Sequence, residues 1–299
     1  MENRLKVIVL GSSGQLGRQI VDRLKLIVSI DCTSLTRADL DISDAEMVRH
    51  VLDEKHPDVV INCAAYTAVD KAEQDSDQAF LVNANNARTL GLECKVRAIW
   101  LLHFSTDYVF NGKGEIPYNE SDQTNPISVY GASKLAGEKA ILEEHAGACV
   151  LRTSWLYGDE GNNFVNTMIR LGRTKKEINV VDDQVSSPTY VSDLVDCTLN
   201  LIEVGLTSGK MPAGLLHFSN SGETSWCEFA KAIMISMQLD CTVKPISTKD
   251  FGALASRPIY SKLDCTLIEN NYGITNRPWQ DGLEDCLSKK KKNGNNYAG

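Results

Sequence analysis

Apolar and polar positions along the first half of the chain follow two alternating periods. Short runs at Lys6–Leu10, Thr33–Thr36, Asp58–Asn62, Ile99–Ser105 and Ala148–Thr153 read as strands, mostly apolar on both faces. Between them, Gln15–Lys25, Asp44–Glu54, Ala79–Val96 and Val129–Glu144 carry apolar residues at helical spacing. This βαβα order predicts an α/β fold, a doubly wound parallel sheet of Rossmann-like type covered by helices. The second half is less regular. Phe164–Arg173, Val191–Val204 and Trp226–Met237 read as helices, and Leu215–Ser219 and Thr242–Ile246 as strands.

The pattern divides the chain into a dinucleotide-binding domain over 1–155, with segments returning to it from about 188–220, and a smaller α/β substrate domain mainly over 156–299. The last stretch, 289–299, runs through four consecutive lysines into Asn and Gly. That composition predicts a solvated, frayed terminus. No internal repeat is visible.

Composition narrows the class. Of 299 residues, 42% are hydrophobic and 23% charged, enough for a sizeable core. A formal net charge of −8 argues against nucleic acid as a partner. The nine cysteines form no C-x-x-C pair, which fits reduced thiols and not a disulfide framework or a zinc site. No signal-like or membrane-spanning apolar run is present, so a cytoplasmic protein with no membrane partner is expected.

Two motifs carry the chemistry. Gly11-Ser-Ser-Gly14-Gln-Leu-Gly17 follows the first strand and opens the first helix. Glycines there allow a sharp turn and a close backbone approach to a pyrophosphate, which the helix N-terminus then favours. Leu35-Thr36-Arg37 closes the second strand, where many NAD proteins carry an acid. Arg37 is either the acceptor of a ribose 2′-phosphate or a surface arginine. Asp41 and Ile42 follow it and frame the adenine.

Tyr130 and Lys134 are four apart on a helix, hence on one face. An ammonium beside a phenol lowers its pKa from about 10 and makes it a usable proton donor. The pair follows Phe104-Ser-Thr-Asp-Tyr-Val-Phe110, which brings hydroxyls to a strand end, where ligands bind in parallel sheets.

These segments resemble the extended short-chain dehydrogenase/reductases and, within them, the dTDP-4-dehydrorhamnose reductase family. The likeness runs through Val60–Glu73, Ser105–Phe110, Tyr130–Glu138, Arg152-Thr-Ser-Trp155, Asp183-Gln184, Ser187-Pro-Thr189 and Arg257-Pro258. The resemblance implies reduction of the C4 keto group of dTDP-4-dehydro-L-rhamnose with NADPH, NADH being possible. It implies Gly14, Gln15 and Leu16 at the pyrophosphate, together with the flanking Gly11 and Gly17. Asp41 and Ile42 would meet the adenosine, and Ala65, Tyr66 and Thr67 would run along the cofactor. Thr106 would bond the sugar O4 and Asp107 would line the substrate. Tyr130 would donate the proton, and a cationic Lys134 would orient the cofactor and poise Tyr130. Trp155 would wall the sugar pocket, with Val69, Asp70 and Arg257 also at the substrate.

Some members of the family bridge subunits through a metal held by glutamates. The matching position here is Gln19, a poor ligand for a hard cation, so no metal is expected. Cys63 replaces a small residue, and a monomer or homodimer is expected. Two other readings share the dyad. One is another nucleotide-sugar 4-keto reductase or an epimerase. The other is a non-catalytic subunit similar to the regulatory subunit of methionine adenosyltransferase.

Overall fold

The computed structural model describes residues 4–294. Strands β1 (Leu5–Leu10), β2 (Ile30–Leu35), β3 (Val59–Asn62), β4 (Trp100–Thr106) and β5 (Cys149–Thr153) are joined by a sixth, Gly214–His217. All pair in parallel, in the spatial order β2, β1, β3, β4, β5 and then Gly214–His217. Chain order reverses between β1 and β3, so a crevice opens at their carboxyl ends.

Both faces of the sheet are covered. Val7 and Val9 point into one core with Ile20, Leu24, Leu194 and Leu201, from the helices Gln15–Leu24 and Val191–Ser208. Ile8 and Leu10, one residue out of step, point into the other with Leu52, Leu90 and Ile141. A third core gathers Tyr157, Ile169, Phe229, Ile233, Trp279 and Leu287 from the second half of the chain.

Three local readings differ from the sequence expectation. The second strand starts earlier, at Ile30. The helix expected over Ala79–Val96 is Ser76–Phe80 and Asn86–Val96, joined by a π-helical turn at Leu81–Asn85. Asn83 in that turn accepts from the Tyr66 backbone N–H at 2.8 Å and donates to the Tyr66 carbonyl at 3.1 Å. The frayed tail expected over 289–299 is helical as far as Gly294. Lys289–Lys292 continue the helix Trp279–Gly294, anchored by buried Cys286 and Leu287 and by Lys289 donating to the Tyr190 hydroxyl at 2.8 Å. The remainder of that tail, 295–299, lies outside the described residues.

All nine cysteines are unpaired. Among the described residues, no helix is long and apolar enough to cross a membrane.

Candidate active site

The glycine motif sits at the sheet's switch point. Gly11 leaves β1 with φ of 70°, and a Cβ on it would lie 2.7 Å from the Ala64 backbone nitrogen, after β3. The two loops touch there, and only glycine fits. Gly14 caps the Gln15–Leu24 helix without any side-chain bond, so the first-turn N–H groups have no side-chain partner.

Beside this turn lies a cleft of about 400 Å³. It brings together Gly11, Gly14, Arg37, Asp41, Ile42, Ala65 and Tyr66 of the expected set. Arg37 is mostly exposed and pairs with Asp41 at 3.8 Å. Bonds from the Ser43 N–H and hydroxyl hold the Asp41 carboxyl below its ordinary range. Leu16 and Gly17 are buried in the first helical turn, and Thr67 is exposed and does not line the cleft. Gln15 turns to Asn163, whose side-chain N–H donates to it at 2.8 Å.

Lys71, Gln78 and Asn86 also line the cleft. Sequence reasoning assigns them no role: Gln78 and Asn86 lie outside every motif, and Lys71 sits unassigned within Val60–Glu73. Asn86 is 5% exposed and its Nδ2 has no partner. Asn86 thus leaves an unused donor in the wall of the cleft.

The titratable cluster forms where β4 ends. The Thr106 hydroxyl accepts from the Tyr108 N–H at 3.2 Å and lies 3.1 Å from Asp107 Oδ1. Asp107 Oδ2 accepts from the Ser261 hydroxyl at 2.5 Å. Burial pushes the Asp107 carboxyl up to about 7, against the pull of those two hydroxyls. Tyr130 stands in the first turn of the Val129–Glu144 helix, capped by Ser128, and meets Tyr108 edge to face at 5.7 Å.

The structure corrects one electrostatic expectation. Tyr130 is not lowered by its lysine. Burial pushes the phenol up to about 12, with the Thr106 hydroxyl pulling the other way. Lys134 instead donates to the Phe104 carbonyl at 2.6 Å and lies 3.3 Å from His103 Nε2. Burial brings its ammonium down to about 8, opposed mainly by Glu138.

Trp155 follows β5 with φ of 44°, unusual for a residue with a side chain. Its ring stacks on Trp226, which in turn meets Phe164. On the other side, Val69 and Asp70 open the short helix Val69–Ala72. Asp70 accepts two bonds from Arg257, at 2.7 and 3.2 Å, and one from the Ala255 N–H at 3.0 Å. Asp70 and Arg257 therefore bind each other across the fold, and the guanidinium holds the carboxyl below its usual range.

A family model described as the RmlD substrate binding domain matches residues 5–292. The chain belongs to that family. Spore coat polysaccharide biosynthesis protein SpsK of Bacillus subtilis is 40% identical over 95% of this chain and 98% of its own length. The dTDP-4-dehydrorhamnose reductase of Escherichia coli K12 is 34% identical over the same shares. Among solved structures, dTDP-4-dehydrorhamnose reductase (rfbD) from Bacillus anthracis in complex with NADP superposes with a TM-score of 0.90. It is 42% identical, covering 96% of this chain and 99% of that one. The RmlD likeness thus spans both the cleft beside Gly11 and the cluster around Tyr130.

Proposed function

We propose that this protein reduces the C4 keto group of dTDP-4-dehydro-L-rhamnose, giving dTDP-L-rhamnose, with NADPH as the preferred dinucleotide. The observation that carries this reading is the grouping of Tyr130, Thr106 and Lys134 at one strand end, next to a cleft built on the glycine turn. The similarity to dTDP-4-dehydrorhamnose reductases, one of them crystallised with NADP, supports it.

The cleft fits such a cofactor. The turn at Gly11 has no room for a Cβ, and the Asn86 amide leaves an unused donor in the wall. Gly11, Gly14, Gln15, Leu16 and Gly17 would hold the pyrophosphate. Asp41, Ile42 and Arg37 would meet the adenosine end, and Ala65, Tyr66 and Lys134 the rest. When bound, the reduced nicotinamide supplies the hydride for the keto carbon.

The chain's own residues do the rest. Tyr130 gives its phenolic proton to the oxygen at C4, and Thr106 donates a hydrogen bond there as negative charge develops. The Thr106 hydroxyl, which donates to Asp107 Oδ1 in the absence of substrate, turns to the C4 oxygen as its charge develops. Trp155 walls the sugar, while Val69, Asp70 and Arg257 close the opposite side. Residues 1–155, with the return segment, carry the cofactor, and the later segments carry the substrate. The unpaired cysteines fit a reducing, cytoplasmic setting, in a monomer or homodimer.

The test is incubation of the pure protein with NADPH and dTDP-4-dehydro-L-rhamnose, with the product identified by mass spectrometry and NMR. Turnover to dTDP-L-rhamnose is expected. Reduction of a different nucleotide keto sugar would reassign the substrate. Tight NADPH binding without turnover of any keto sugar would make the chain a non-catalytic homologue.

A further inference from the structure

A segment from the second half of the chain, residues 158–163, lies against the first turn of the helix Gln15–Leu24. A Cβ on Gly158 would stand 3.5 Å from Gln15 Cδ. The Asn163 side-chain NH₂ donates to Gln15 Oε1 at 2.8 Å, to the Gly158 carbonyl at 3.0 Å and to the Glu160 carbonyl at 3.1 Å. A second tie, from Arg18 to Glu160 at 3.1 Å, joins two exposed side chains and contributes little. Asn163 is therefore the joint of this contact.

The hydrogen bonds fix which end of each amide faces which. Asn163 precedes the helix Phe164–Thr174 and caps it, Oδ1 accepting from the Asn166 N–H at 3.0 Å. Its NH₂ must then face Gly158, Glu160 and Gln15, and Gln15 must present its oxygen. That oxygen is the atom with which a glutamine at the first position of a helix accepts from the orphan N–H groups of its own turn. Gly14, the cap of that helix, has no side chain to offer them. Asn163 and the turn thus compete for one acceptor, and Asn163 holds it. Gln15 accordingly stays out of the lining of the cleft, where Gly11, Ser13 and Gly14 stand.

We propose that Asn163 is a positioning residue for the dinucleotide: by holding Gln15 Oε1 it keeps that side chain off the first-turn N–H groups and leaves them for the pyrophosphate. The inference rests on the proposed reading of the cleft as a dinucleotide site. Uncovered N–H groups at a helix N-terminus donate to phosphate oxygens at full strength. A glutamine oxygen folded back over them has to be displaced first, and it brings partial negative charge to the place the phosphates take. Asn163 acts through Gln15, 148 positions away. It adds a residue of the second half to a site that the sequence pattern gives to 1–155 and its return segments.

The test uses the full-length protein and reads dinucleotide binding alone, so the identity of the sugar does not enter. NADPH affinity is measured by fluorescence titration. Adenosine 2′-phosphate, which lacks the pyrophosphate, is measured by competition against NADPH. Asn163→Ser keeps a capping oxygen for the following helix, and its hydroxyl is too short to reach Gln15 as well. NADPH should bind this variant roughly 2- to 13-fold more weakly, the span of one hydrogen bond, while adenosine 2′-phosphate binds as before. Gln15→Ala removes the side chain that folds back and keeps its backbone N–H. Added to Asn163→Ser, it should restore NADPH affinity to that of Gln15→Ala alone, a rescue that a purely structural role of Asn163 would not give. Unchanged NADPH affinity in Asn163→Ser, an equal loss for adenosine 2′-phosphate, or a loss that persists with Gln15→Ala overturns the proposal. Asn163→Thr, which also caps, gives the same readings if Asn163→Ser fails to fold. NADPH that does not bind the unmodified protein would instead overturn the cofactor reading, and this inference with it.

Discussion

Trp155 lies flat against Trp226, ring centroids 3.5 Å apart and planes 8° from parallel. The backbone at Trp155 is held at φ of 44°, a conformation a bulky residue adopts only when its surroundings impose it. Trp226, with Phe164 against it, packs on the Trp155 ring.

Replacing Trp226 with Leu should therefore loosen Trp155 without touching the Tyr130 cluster. An aromatic stack contributes about 0.5–1.5 kcal/mol, so the KM for the nucleotide sugar should rise by roughly 2- to 13-fold. The KM for NADPH should not change. Steady-state kinetics with each substrate varied in turn would measure both, and an unchanged sugar KM would mean that Trp155 is not a wall of that pocket.

Tyr130→Phe removes one hydroxyl and keeps the ring that packs on Tyr108. Turnover should fall by about 10²–10⁴, the usual span for losing a general acid, with NADPH affinity nearly unchanged. Lys134→Met should harm turnover and cofactor binding together. Single-turnover kinetics and fluorescence titration with NADPH separate the two effects. A Tyr130→Phe protein that turns over normally would show that the proton comes from another group.

Arg37 lies at the rim of the cleft, exposed and only loosely paired with Asp41. A charge-assisted bond from it to a 2′-phosphate is worth about 1.5–3 kcal/mol. Arg37→Ala should weaken NADPH binding by roughly 10- to 150-fold on that basis and leave NADH untouched. Equal losses for both dinucleotides would reduce Arg37 to a surface residue.

Two buried groups should shape stability against pH in opposite directions. Asp107 is raised from 3.8 to about 7, so the folded protein keeps its proton where the unfolded chain loses it. That contribution is complete below 3.8 and is lost as pH rises towards 7. His217 is lowered from 6.5 to about 3 by burial and by Arg152, so its contribution is present above 6.5 and lost as pH falls. Thermal melts across pH should show Asp107→Asn flattening the first loss and His217→Gln reducing the second. A Tm profile for Asp107→Asn that parallels the unmodified protein from pH 4 to 7 would mean Asp107 ionises normally.

The sequence made the sheet and the outline of the site readable. Apolar runs of only five to seven residues, set between helical periods, read as buried strands, and β1, β3, β4 and β5 stand close to where the pattern puts them. A spacing of four on a helix brings Tyr130 and Lys134 to one face in any fold, and the glycines of 11–17 announce a tight turn wherever they occur. These features are local, set by backbone geometry over a few residues.

What joins residues distant in the chain was decided by the tertiary structure. Asn62 meets His103 across 41 positions, Ser261 meets Asp107 across 154, and Arg257 meets Asp70 across 187. No period in the sequence encodes such pairs, because they depend on how the crossovers pack the sheet and on which late segments return to its carboxyl edge. The π-turn that carries Asn83 to Tyr66 is equally invisible, since its apolar spacing reads as ordinary helix. The signs of the shifts at Tyr130 and Asp107 also belong to the fold. Proximity of charge can be guessed from spacing, but desolvation, the larger effect at both, exists only once the chain has closed around them.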